Sequence, residues 1–277
     1  MLINLNEEIF GFVPVEPLPQ RVDDTPGRVE YYLGFRPDDK KLYLLMACRD
    51  ATVVSDELTW LESEQHKLWY AARYQAYYGD NINILAIEMP EKTTSLATVL
   101  ETGPMRWDVA LPLFYEILMS RLDTAGEERF FRSSLSPDNI MVVSEGADIY
   151  PFAPYIPAWD IKAANRVHLF TAPELLSGDS AEGPDETTWL YSAAALLTMM
   201  LQSRYPRKLD VNPEKASRED FISDYVRTAE SAPEIDAIGP LRKVLAANIS
   251  ARREDRSESV NDFLHAIYAI IKEKGMK

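Results

Sequence analysis

The pattern of apolar and polar positions divides the chain into short strands early and longer helices later. Residues 29–35 (V-E-Y-Y-L-G-F) predict a strand, closed by the turn R-P-D-D at 36–39. Residues 41–48 predict a second strand, and the pair suggests a hairpin. Ser55-Asp56-Glu57 reads as a capped helix start. Leu58, Leu61, Leu68, Trp69 and Ala72 then recur at helical spacing up to about Tyr74. Residues 82–89 (I-N-I-L-A-I-E-M) are a third apolar run, and residues 95–100 a short helix. Residues 107–122 form a long amphipathic helix with Ala110, Leu113, Phe114, Ile117, Leu118 and Leu122 on one face; Pro112 is tolerated near its start.

Residues 189–201 are apolar on most faces, which belongs in a core. The run falls short of the ~20 residues a membrane-spanning helix needs. Residues 221–228, 240–248 and 259–272 predict three closing helices, the last with Val260, Phe263, Leu264, Ile267, Ile270 and Ile271 on one face. A strand-rich beginning followed by helices predicts an α+β fold. Residues 1–28 carry Pro14, Pro17, Pro19 and Pro26 and are expected to be extended, a lead-in or a docking arm.

Composition narrows the function classes. A hydrophobic content of 46% with 26% charged residues is that of a soluble globular protein. The net charge of −15 disfavours nucleic acid and anionic membrane, both polyanions, and favours a protein partner with a basic face. Residues 178–186, an acidic loop, offer such a docking patch. A single cysteine, Cys48, excludes an intrachain disulfide and suits a reducing compartment. The first residues lack a basic stretch followed by a long apolar run, so a secretory signal is not expected and a cytoplasmic location is. His66 has no Cys, His or carboxylate at metal-ligand spacing.

The densest motif is residues 132–143, R-S-S-L-S-P-D-N-I-M-V-V. With T-A-P-E at 171–174 and the apolar helix that follows, it resembles the catalytic loop, the A-P-E motif and the buried central helix of the protein kinase superfamily, in the family's order. The resemblance covers residues 29–272. It implies a bilobal fold: a Pro-rich extension at 1–28, a small β-rich N-lobe at 29–90 and a larger helical C-lobe at 91–277. It places Leu135, Pro137, Asp138, Asn139 and Ile140 on the family's scaffold positions. It also pairs Glu174 of the motif Ala172-Pro173-Glu174 with an arginine near the C-terminal helix: Arg256, with Arg252 and Arg253 as fallbacks.

The same comparison finds the chemistry removed. Ser134 stands where the family has its catalytic Asp and Ser136 where it has a Lys. Pro151-Phe152-Ala153 stands at the D-F-G position, so the magnesium-binding carboxylate is replaced by proline. No G-x-G-x-x-G exists; Gly34 stands alone. The helix-capping Asp of the family is expected to be replaced near Thr187. A hydroxyl is a very weak base, and one amide, Asn139, is a poor site for a hard dication. The expectation is a pseudokinase, inactive in phosphotransfer and binding proteins as a regulatory scaffold, with no metal and no cofactor. Two alternatives stand beside it. One is a kinase-fold transferase that uses ATP with Mg or Mn, for example in adenylyl transfer, and would rely on Arg49, Glu62, Asn139 and Asp148. The other is a non-kinase α+β interaction protein.

Overall fold

The chain begins with β1 (Val13–Pro17), β2 (Val29–Phe35) and β3 (Leu42–Cys48), followed by α1 (Ala51–Glu62), β4 (Tyr74–Tyr78) and β5 (Asn83–Glu88). A computed structural model describes residues 1–18, 29–62, 73–122, 135–138, 140–145, 148–152, 170–176, 185–203, 233–250 and 252–275. It is a mixed α and β structure of two compact units. One is formed by Met1–Ser95 with Asp138–Ala164, the other by Leu96–Pro137 with Asn165–Lys277.

In the first unit five antiparallel strands lie in the order β1-β2-β3-β5-β4. Side chains alternate across the strands, so the sheet has two apolar faces. Tyr31, Leu33, Leu44, Met46, Cys48, Leu85 and Ile87 share one core with Val54 and Leu61 of α1. Tyr32, Tyr43, Leu45, Ala47, Ile84 and Ala86 face the other way, where Ile3 and Phe12 cover them. Residues 1–17 are therefore part of this unit: Ile3 and Phe12 are buried, and β1 is hydrogen-bonded to β2. Gly34 lies opposite Pro14 where β2 pairs with β1; a Cβ there would meet Leu45 Cδ1 at 2.6 Å and the Val13 carbonyl at 3.0 Å.

Two expectations for this unit are corrected. The helix starts at Ala51, not Ser55, because Asp50 accepts the Thr52 amide (3.0 Å) and hydroxyl (2.7 Å) one turn earlier. Tyr74 is not on that helix. It opens β4, paired opposite Ile87 of β5, with its side chain packed against the α1 face of the sheet.

A second sheet in this unit joins β6 (Thr93–Ser95), β7 (Met141–Glu145) and β8 (Asp148–Phe152) in sequence order, all antiparallel. Met141 and Val143 of β7 enter the same core as Leu44 and Met46.

The second unit is helical. It holds α2 (Leu96–Leu100), α3 (Trp107–Leu122), α4 (Pro173–Leu176), α5 (Glu186–Gln202), α6 (Pro233–Asp236), α7 (Gly239–Asn248) and α8 (Val260–Glu273), with a 3-10 turn at Arg253–Asp255. The α3 stripe predicted from the sequence is buried from Ala110 to Leu118; the Leu122 side chain lies outside the described residues. Phe114 meets Phe263 of α8 edge to face at 6.1 Å. Every residue of α5 from Thr188 to Leu201 is buried. The helix ends at Ser203, whose left-handed backbone (φ 53°) returns its N–H to the Met199 carbonyl at 2.7 Å. Ser259 caps α8 by accepting the Asp262 amide, and all six apolar positions of its stripe are buried. Each such side chain contributes about 1.5–3 kcal/mol relative to exposure. The helix expected at 221–228 lies outside the described residues.

Candidate functional site

The motif-bearing residues fall into a loop, two strands that follow it and a polar cluster at the start of α5. Of the loop, Ser134 and Asn139 lie outside the described residues. Leu135, Ser136, Pro137 and Asp138 are all buried, with Leu135 and Ser136 wholly so. The Pro137 carbonyl accepts the Ala97 amide of α2 at 3.0 Å, which ties the turn to that helix. Ile140, also buried, leads into β7. The segment thus behaves as an inward-facing structural turn at Ser136, where the resemblance would place a lysine.

Pro151 sits in β8 opposite Val142 and is buried. A proline there donates no ladder hydrogen bond, which β8 accommodates as the last strand of its sheet. Phe152 pairs with Met141 through the backbone; its side chain and Ala153 lie outside the described residues. Asp148 is exposed at the start of β8, opposite Glu145.

Of the alternative nucleotide set, Asn139 lies outside the described residues, and Arg49, Glu62 and Asp148 are described. Arg49 is exposed just past β3, with its carbonyl accepting Asn83 Nδ2 at 3.0 Å. Glu62 is exposed at the last residue of α1. No hydrogen bond or ion pair joins Arg49, Glu62 and Asp148, and no cluster of three metal-ligating side chains occurs among the described residues. The acidic side chain that α1 turns inward is Glu57, which is 9% exposed. The signal was in the sequence: Glu57 falls three residues after Val54 and four before Leu61, on the buried stripe. Next to Ser55 and Asp56, the same acid also fits a helix cap, and that local signal masks its place on the stripe.

The structure brings Glu174 and Arg256 together. Arg256 Nη1 donates to Glu174 Oε1 at 2.6 Å and Nη2 to Oε2 at 3.0 Å, a bidentate pair. The arginine side chain is fully buried, and its remaining donors reach the carbonyls of Thr187 (2.9 Å) and Ser250 (2.9 Å). Its guanidinium carbon lies 5.2 Å from the Tyr191 ring centroid. This cluster fastens α4, the first turn of α5 and the segment before α8.

Around it, the expectation that the helix lacks a capping Asp is corrected. Asp185 caps α5 in a capping box with Thr188: its carboxylate accepts the Thr188 amide (3.0 Å), and the Thr188 hydroxyl accepts the Asp185 amide (2.9 Å). The same carboxylate takes an ion pair from Arg253. Glu186 accepts the Val260 amide at 2.5 Å. Two carboxylates at the end of the acidic stretch are thus committed to structure, and residues 177–184 lie outside the described residues.

No family model matches this chain, and no curated protein matches it. Among the described residues, no helix is long and apolar enough to cross a membrane.

Proposed function

We propose that this chain is a protein kinase-like protein without phosphotransfer, a pseudokinase that serves as a protein-binding or regulatory scaffold. The observation that carries the reading is β3. The resemblance puts the phosphate-gripping lysine on this strand. Here Tyr43, Leu44, Leu45, Met46, Ala47 and Cys48 are all buried, three packed on each side of the sheet, and none is cationic. Extending β3 by one residue reaches Arg49, which points its charge into solvent.

Three further observations support the reading. The hairpin, α1, β5, α2, α3, the turn at 135–138, β7–β8, α4 and α5 follow one another in the order the resemblance implies. The Glu174–Arg256 pair joins the A-P-E motif to the segment before the last helix. Pro151 stands where the resemblance puts the metal-binding carboxylate, and a proline side chain offers a hard dication no oxygen ligand. The net charge of −15 makes a partner with a basic face the fitting one.

The test is a thermal-shift titration with ATP, with and without magnesium or manganese, together with a phosphotransfer assay. The expected result is no metal-dependent shift and no transfer. A metal-dependent shift, or transfer abolished by Asn139→Ala, overturns the proposal in favour of a nucleotide-using enzyme.

A further inference from the structure

The sheet face that Phe12 covers is sealed at one end only. Ile3 and Phe12, with Leu2, Leu5 and Ile9, lie over Tyr32, Leu45 and Ile84. At the other end a recess of about 180 Å³ opens, bounded by Phe12, Tyr43 and Tyr77 and lined by Arg36, Arg73 and Ala86. Ala86 stands between Leu45 on β3 and Gln75 on β4, and its methyl group leaves the space a longer side chain would fill.

The charges of this recess are unequally committed. Lys41 pairs with Glu88 at 2.5 Å. Asp39 accepts the Lys41 amide (2.9 Å) and the Tyr43 hydroxyl (2.8 Å). Arg36 is half-buried and makes no ion pair with a carboxylate among the described residues; Nη2 donates to the Tyr77 hydroxyl at 2.6 Å. Its guanidinium carbon lies 4.5 Å from the centroid of Phe12 and 5.7 Å from that of Tyr43, so two rings hold the fork in place while other N–H donors stay unused. Arg73, exposed at the entrance to β4, likewise has no side-chain partner among the described residues. In a chain of net charge −15, a half-buried, oriented guanidinium that no carboxylate meets within ion-pair distance among the described residues stands out, although Asp39 lies close enough to feel its charge.

We propose that this recess is a binding site for a carboxylate, received by Arg36 and assisted by Arg73. A planar carboxylate matches the guanidinium fork in a two-point hydrogen bond. The walls choose between anions. Asp39 and Glu88 both line the recess, so a phosphate brings both charges of its dianion against two like charges at close range, whereas a short acid such as glutarate brings a single carboxylate with one charge and leaves its other end in solvent. Size limits the ligand as well. Pockets that hold drug-sized ligands measure roughly 300–1,000 Å³, so about 180 Å³ takes an acid of a few carbons or one acidic side chain of a peptide. The site is independent of the pseudokinase reading, because every residue in it belongs to the strand-rich unit and none to the motifs.

The test is an NMR titration of the full 15N-labelled chain with glutarate at constant ionic strength, following the arginine Nε–H signals. Saturable shifts of Arg36 and Arg73 are expected, with inorganic phosphate binding more weakly. Arg36→Gln should weaken glutarate about tenfold or more. Ala86→Met fills the recess without altering charge and should abolish binding, and Arg73→Gln, at an exposed side chain, should weaken it with no loss of fold. An N-acetyl-glutamate amide probe separates the sources: tighter binding than glutarate identifies a peptide side chain, weaker binding a free acid. Shifts that do not saturate, phosphate binding tighter than glutarate, or glutarate binding retained in a folded Ala86→Met each overturn the proposal.

Discussion

Replacing Arg256 by methionine removes a charge that the fold has enclosed on every side. The parent side chain is fully buried and makes two bonds to Glu174 and one each to the Thr187 and Ser250 carbonyls. Arg256→Met leaves the Glu174 carboxylate, 8% exposed, without its counter-charge. Breaking a buried pair from one side costs about 3–5 kcal/mol. At about 2–4 °C per kcal/mol for a chain of this size, the midpoint of thermal unfolding should fall by roughly 6–20 °C. Adding Glu174→Leu should recover part of the loss, because an apolar pair of similar volume needs no counter-charge. Recovery stays partial, since the Thr187 and Ser250 carbonyls still lack the guanidinium. Circular dichroism melts and urea titrations of the parent, both single variants and the double variant measure the coupling. If Arg256→Met lies within about 1 kcal/mol of the parent, or the double variant is no more stable than Arg256→Met, the pair is not the buried clamp described.

The other predictions concern the strand-rich unit. Gly34→Ala should cost about 1–3 kcal/mol, because the added methyl meets the Val13 carbonyl and Leu45; a urea titration with an unchanged midpoint would show the packing around Gly34 to be looser. Stability should also decline in alkali. Burial, together with the hydrogen bond to Glu30, pushes the Tyr32 phenol up from 10.0 to about 12. Burial and the bond to Asp39 do the same for Tyr43, again to about 12. Both folded values lie above the unfolded one, so their contribution is whole below pH 10 and is lost as pH rises toward about 12. Phenolate absorbance followed alongside unfolding tests this; Tyr43→Phe should flatten the dependence.

Most helices were legible because periodicity is a local property. The α3 stripe, Ala110 to Leu118, needs only residue spacing to be seen, and the structure buries it. The Ser259 cap of α8 is equally local. Both strands of the hairpin could be placed from their Val, Tyr and Leu content between turn residues. What failed were segments whose local signal is ambiguous. The run Ala51-Thr52-Val53-Val54 contains β-branched residues that lower helix propensity, so the local pattern puts the helix start later, at Ser55. Packing of Val54 into the sheet core outweighs that preference, and Asp50 provides the cap. The run at 74–78 follows a helical stripe closely enough for Tyr74 to extend it, and only pairing with β5 makes it a strand.

The candidate site divides along the same line. The sequence by itself determined which functional groups are present: serine and proline where the resemblance places acids, and a glutamate and an arginine that the resemblance pairs. Only the tertiary structure decided where charge is buried. It turned Glu57 inward and left Glu62 in solvent, enclosed Arg256 against Glu174, and laid Phe12 over Arg36 and Tyr43. The physical reason is distance along the chain. Caps and stripes are settled within a turn or two of helix, whereas the cost of burying a charge depends on groups brought together from far-separated segments. Glu174 and Arg256 stand 82 positions apart and Arg36 and Tyr77 stand 41 apart, so no local pattern reports that they meet.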